Sequence, residues 1–258
     1  MNEQDEPKAN PKDKPLYKDP VKMVPLIGAT IAAILGGIAL YGQIFPPSPP
    51  SNSSVEYVLD TSADMKGKLG EQNKFESVKD HILRQVDGFP NVPAALRLAG
   101  GGSCEFGYQP PSVEFEEDNH DDFETTLTGL RPSGASDLVS ALTHAANDLV
   151  QRGEQASNEL TTVYVFYGSA DECTSNPEDR IRAALSALRA QENVEVDFKL
   201  IGVNPPEEAR RLLTEVDKVA GDLGFSSSVT FAKEPSDLIG SPPYCDLPAQ
   251  EDHPRDCQ

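Results

Sequence analysis

The sequence has no tryptophan, no excess of positive charge and only one apolar run of membrane length, and it lacks the short motifs common in hydrolases and nucleotide-binding proteins. Its histidines, His81, His120, His144 and His253, are scattered without HExxH, and no GxSxG elbow occurs. Gly100-Gly101-Gly102-Ser103 lacks the GK[ST] ending of a phosphate-cradling loop. No CxxC or Cys/His spacing suggests zinc. The expectation is therefore a protein that is not an enzyme, with a hydrolase using acidic side chains as the weakest surviving alternative. Acidic residues outnumber basic ones by 42 to 22, and a formal charge of -20 argues against nucleic acid as a partner.

What is present suits one ordinary globular domain plus accessory segments: 38% hydrophobic residues, 25% charged, and 22 prolines that crowd towards the two ends. From Met23 to Phe45 no residue is charged, a length that crosses ~30 Å of hydrocarbon as a helix. A cleaved signal peptide has a shorter apolar core, of about 7–15 residues after a short basic start, so the run reads as a transmembrane anchor. Lys8, Lys12, Lys14, Lys18 and Lys22 precede it and the next lysine is Lys66, which puts the N-terminus in the cytoplasm and the chain beyond Phe45 on the exoplasmic side of a cell membrane. Those lysines are balanced by five acids, so the whole negative charge lies beyond the anchor. The expected organisation is a cytoplasmic tail over 1–22, a transmembrane helix over 23–45, a Pro/Ser-rich spacer over 46–54, a domain over 55–240 and an acidic tail with proline and cysteine over 241–258.

Within the domain, apolar runs of strand length alternate with helical periodicity. Val55–Leu59, Ala94–Ala99, Ser112–Phe115, Thr161–Tyr167, Val194–Val203 and Val229–Phe231 read as strands, with Thr161–Tyr167 at the sheet centre because it lacks polar alternation. Phe75/Val78/Ile82/Val86, Leu138/Ala141/Leu142/Ala145/Leu149, Ile181/Ala184/Leu185/Leu188 and Ala209/Leu212/Leu213/Val216/Ala220 read as helices, the second with Ser136 near its start. This alternation predicts an α/β fold, a doubly wound, mostly parallel sheet with helices on both faces. Ligands of such sheets bind outside the carboxyl ends of the strands. His81 and His144 fall on predicted helices as surface or boundary residues.

At those strand ends stand Asp60-Thr61-Ser62-Ala63-Asp64, Gly134-Ala135-Ser136-Asp137 and Tyr167-Gly168-Ser169-Ala170-Asp171. Together they resemble the von Willebrand factor A (VWA) family, whose DxSxS run, later threonine and aspartate after the central strand assemble a metal-ion-dependent adhesion site. The resemblance spans about Val55 to Ala232. It implies a VWA/Rossmann-like fold and a cation site for Mg²⁺, or Mn²⁺ or Ca²⁺, with Asp60, Ser62, Asp64, Ser136 and Asp171 as candidate ligands, since Mg²⁺ takes hard oxygen donors and leaves room for a partner's carboxylate. Asp64 and Ser136 depart from the family's serine and threonine. The family aspartate falls on Gly168, so Asp171 joins the set only through a shifted loop and otherwise stands in solvent.

Four cysteines permit three pairings; Cys104 and Cys173 both follow strands at the same rim, which favours Cys104 with Cys173 and Cys245 with Cys257, in an oxidising compartment. Two readings lead: a cation-dependent binding or adhesion module with a protein partner, and a metal-free VWA scaffold in an envelope assembly. The acidic surface favours basic partners.

Overall fold

Strand and helix alternate through the residues that the computed structural model describes, 53–104, 109–153, 159–191 and 193–238. All of them belong to one compact unit, Pro49–Pro248. The expected anchor, cytoplasmic tail and acidic tail, with Cys245 and Cys257, lie outside the described residues. No helix among the described residues is long and apolar enough to cross a membrane.

β1 (Ser53–Asp60) is buried along its whole length. β2 (Lys68–Leu69) and β3 (Gln72–Asn73) form a small hairpin, followed by α1 (Lys74–Gly88), β4 (Ala94–Ala99), β5 (Val113–Glu116), α2 (His120–Gly129), α3 (Leu138–Gly153), β6 (Glu159–Tyr167), α4 (Pro177–Arg189), β7 (Val194–Val203), α5 (Glu207–Asp222) and β8 (Ser226–Ala232). The main sheet has the order β5-β4-β1-β6-β7-β8, parallel except for β5. β1 and β6 share its centre, as the uninterrupted apolar character of Thr161–Tyr167 predicts.

The start of β1 and the presence of α2 differ from expectation. The strand begins at Ser53, inside the predicted spacer, because Ser53 and Ser54 already pair with Leu160 and Thr161 and the Ser54 hydroxyl bonds to that of Thr161 at 2.9 Å. The sequence pattern does not announce α2: Phe123 and Leu127 are its only buried residues, too few to make a periodic stripe.

The sheet is covered on both faces. On one side α3, α4 and α5 pack through Leu142, Leu185 and Leu213 on Val58, Val163 and Leu200. On the other, α1 and α2 pack through Phe75, Ile82 and Phe123 on Tyr57, Leu59 and Phe166. Glu56 and Val58 alternate with Tyr57 and Leu59, so Glu56 faces the three-helix side. There it meets Arg97 of β4, whose Nε donates to Glu56 Oε1 at 2.8 Å and whose Nη2 pairs with Asp148 of α3. Glu56 is 0% and Arg97 1% exposed. Burial raises the Glu56 carboxyl above its ordinary range, against the opposing pull of Arg97.

His81 and His144 are buried, further in than the surface or boundary positions expected. His81 lies on the sheet-facing side of α1, its ring edge-to-face with Phe166 at 5.5 Å. Burial, and secondarily Arg84, takes its pKa down to about 4. A group with a depressed folded pKa contributes stability that is present above its unfolded value of about 6.5 and lost as pH falls towards the folded one. The shift corresponds to about 3 kcal/mol. Between pH 7 and pH 4 the wild type should therefore lose about that much more stability than His81→Phe, measured as the difference between their urea midpoints; parallel pH profiles would contradict the assignment.

Candidate rim site

The loops after β1, β4 and β6 meet the segment between α2 and α3 at the carboxyl ends of these strands. Main-chain bonds join them: Thr61 N to Ala99 O (3.1 Å), Ser133 N to Thr61 O (2.8 Å), Ala63 N to Gly134 O (3.1 Å) and Glu172 N to Ser136 O (3.1 Å). The Cys104–Cys173 disulfide ties the loop after β4 to the loop after β6, the first of the expected pairings. Backbone freedom matters at Gly100 and Gly134, with φ of 95° and 69°: a Cβ on the first would collide with the Ala135 carbonyl and one on the second with the Gly102 backbone.

Asp60 is the hub. It is 0% exposed, and three donors converge on its carboxylate: Ser62 N on Oδ1 at 2.9 Å, and Gly168 N at 3.0 Å and the Ser169 hydroxyl at 2.6 Å on Oδ2. Burial raises its pKa while these bonds oppose the rise. The Ser62 and Ser169 hydroxyls are in close contact beside it. Asp60 and Ser62 thus lie together, bonded directly through Ser62 N, with Ser169, which the motif alone does not single out, against both.

The other candidates separate. Ser136 is buried, and its hydroxyl donates to the Tyr167 phenol at 2.9 Å. Burial pushes that phenol far above its ordinary pKa, so it stays neutral. Asp64 is exposed on the 3-10 turn Ala63–Lys66. Asp171 is not a solvated loop residue: it is partly buried and accepts from Val139 N (3.1 Å), Cys173 N (3.0 Å) and Thr174 N (2.9 Å). Its carboxylate neutralises the amino end of α3. Asp137 caps the same end, accepting from Ser140 N at 3.1 Å, the role that sequence position suggests for Ser136.

At Gly168, where the family carboxylate is missing, a cation of the chain itself stands by. Lys74, the first residue of α1, is 7% exposed and its Nζ donates to Gly168 O at 3.2 Å. Burial lowers its pKa, while the charges of Asp64 and Asp60 oppose that. A Cβ on Gly168 would lie 2.7 Å from Met65 Sδ and 3.5 Å from Lys74 Nζ, so side chains already crowd the space an aspartate would take. A divalent ion here would have Asp60 and Asp64 as its anionic donors, hydroxyls already engaged with protein partners, and an ammonium beside it. That donor set fits an internally bonded rim better than a Mg²⁺ shell. The one cluster of three histidine, aspartate or glutamate side chains with metal-ligand spacing among the described residues is His120, Asp121 and Glu124, away from this rim.

The family model described as von Willebrand factor type A domain matches residues 55–170. No curated protein matches the chain significantly. Among solved structures, the PilB minor pilin from Streptococcus sanguinis is similar at 12% identity and a TM-score of 0.56, covering 75% of this chain and 60% of the pilin. A point mutant of that pilin gives 0.55 at the same identity and coverage. BatB from Bacteroides thetaiotaomicron gives 0.49 at 13% identity, covering 72% of this chain and 93% of BatB. The chain thus spans 60% of the pilin's length, and at these identities the likeness is one of fold. The von Willebrand factor type A match thus covers the part of the chain from β1 to the loop after β6.

Proposed function

We propose that this chain is a membrane-tethered, protein-binding VWA module, not an enzyme, that engages its partner through the loop-bearing rim without a metal ion. The observation that carries the metal-free reading is the Lys74 ammonium, bonded to Gly168 O at 3.2 Å where the family has a carboxylate. The protonated Lys74 side chain repels a second cation, and the Asp60 carboxylate already has three donors. The rim keeps the family's architecture with hydrogen bonds in place of a metal. The tether rests on the uncharged run Met23–Phe45 and the lysines before it, which put the domain on the exoplasmic side of the cell membrane. An oxidising compartment agrees with the Cys104–Cys173 bridge.

The test is melting of the full chain with Mg²⁺, Mn²⁺ or Ca²⁺. An ion that binds only the folded state stabilises it by about 2.7 kcal/mol at 100 times its dissociation constant. No shift at millimolar cation is expected. A saturable rise that Ser62→Ala removes would restore the cation-dependent reading.

A further inference from the structure

The two edges of the main sheet are built differently. β5 has four residues, carries Glu114 and Glu116, and meets β4 with a register shift between Ala94 and Leu96. Short length, charge and broken register are devices that keep an edge strand from pairing with another chain. β8 has none of them. It is seven residues long, Ser226-Ser227-Ser228-Val229-Thr230-Phe231-Ala232, without charge, proline or glycine, and it follows β7 in unbroken register from Asp197 to Val203. Among the described residues no strand lies on its other side.

An open ladder of main-chain donors and acceptors fits one kind of partner, another extended strand. The outer flank of α5 points to which strand. Ala209, Leu213, Val216 and Ala220 are buried on its inner face, and Arg210 and Asp217, two turns apart, stand above β8. The Arg210 guanidinium lies 4.7 Å from the centroid of the Phe231 ring. The Ser227 hydroxyl donates to Asp217 O at 3.2 Å, and Asp217 Oδ1 has no hydrogen-bond partner. If two β8 strands run antiparallel about a two-fold axis at Val229, Phe231 of one stands opposite Ser227 of the other. Arg210 of each chain is then level with Asp217 of the other, so the surface is complementary in charge to itself. On the opposite face Ser228 meets Thr230 of the second copy, hydroxyl against hydroxyl.

We infer that β8 pairs edge to edge with β8 of a second copy of this chain, antiparallel about a two-fold axis at Val229, with two Arg210–Asp217 ion pairs between the copies. The same patch serves both chains, as closed two-fold symmetry requires. The distribution of charge favours this edge. Seven carboxylates crowd between Glu114 and Glu124, beside β5, so joining at β8 leaves them at the two far ends of the continuous sheet, where they repel least. The antiparallel arrangement also leaves the two rims at opposite ends of the assembly. The inference stands apart from the reading of the rim and does not depend on it.

The experiment is sedimentation equilibrium of the full chain in density-matched detergent micelles, over a series of protein concentrations. Wild type should reach a dimer. Arg210→Glu and Asp217→Arg each set like charges opposite one another, and each should weaken the dimer about tenfold or more. The double variant Arg210→Glu, Asp217→Arg reverses both pairs and should recover to within about threefold of wild type, a recovery that misfolded single variants would not give. Glu114→Lys, at the far edge, should change the association less than about twofold. A wild-type chain that is monomeric throughout the series would overturn the inference. So would a dimer that the single reversals leave intact, which would join through another surface, or a double variant that does not recover.

Discussion

Replacing both Cys104 and Cys173 by serine should lower the unfolding free energy by about 4 kcal/mol, the chain-entropy value for a bridge closing a loop of this length. The two cysteines are 69 residues apart, and the loop they close contains β5, α2, α3 and β6. Unfolding with the bridge intact leaves that long segment constrained; without it, the denatured chain gains the full freedom of the loop. The folded state is affected as well, because the bridge joins the two rim loops that bear Gly100–Gly102 and Asp171. Amide exchange should therefore accelerate first in those loops. Urea unfolding of the serine variant against wild type, with the wild type plus reductant as a second arm, measures the loss. A difference below about 1 kcal/mol would mean that the denatured chain already holds these loops together.

Arg97→Met should cost about 3–5 kcal/mol, since it strands two carboxylates in the interior. Glu56 has no exposed surface and its Oε2 has no hydrogen-bond partner even in the intact protein. The Glu56 pKa is raised already, by burial, and loses its largest opposing influence when Arg97 is removed. A raised carboxyl contributes stability that is full below its unfolded pKa and is lost as pH rises through the folded one. The variant should therefore be closest to wild type near pH 4 and furthest from it near pH 8. The triple variant Glu56→Leu, Arg97→Met, Asp148→Leu should recover most of the loss, because an apolar group of similar volume replaces a buried ion cluster at little cost. Urea midpoints at the two pH values decide the matter; a deficit that is small and independent of pH would contradict it.

These two features show where the sequence was legible and where it was not. The parallel sheet was readable because Val55–Leu59, Ala94–Ala99, Thr161–Tyr167 and Val194–Val203 are apolar runs of strand length separated by helical stripes. Those same runs hid Glu56 and Arg97. A charge in the middle of a doubly covered strand signals a buried partner, but which partner depends on the register that places Val58 opposite Arg97 and on α3 crossing above. Asp60, the last residue of β1, and Ser62 just beyond it were singled out by the resemblance of their run and its place at a strand's carboxyl end. Lys74, Ser169 and Asp137 were missed because their roles arise from where separate loops converge, and a lysine opening a helix looks solvent-facing in one dimension. Asp171 was misplaced for the same reason: its three amide donors come from its own turn and from the first turn of α3, which only the fold brings alongside.

The central claim is that Lys74 stands in for the divalent ion at this rim. Its most direct test is Mn²⁺ binding to the folded full chain, followed by electron paramagnetic resonance of the free ion, for wild type and for Lys74→Met. The account predicts no stoichiometric uptake by wild type at submillimolar Mn²⁺. One ion bound per wild-type chain, displaced by Mg²⁺ and lost in Ser62→Ala, would contradict it.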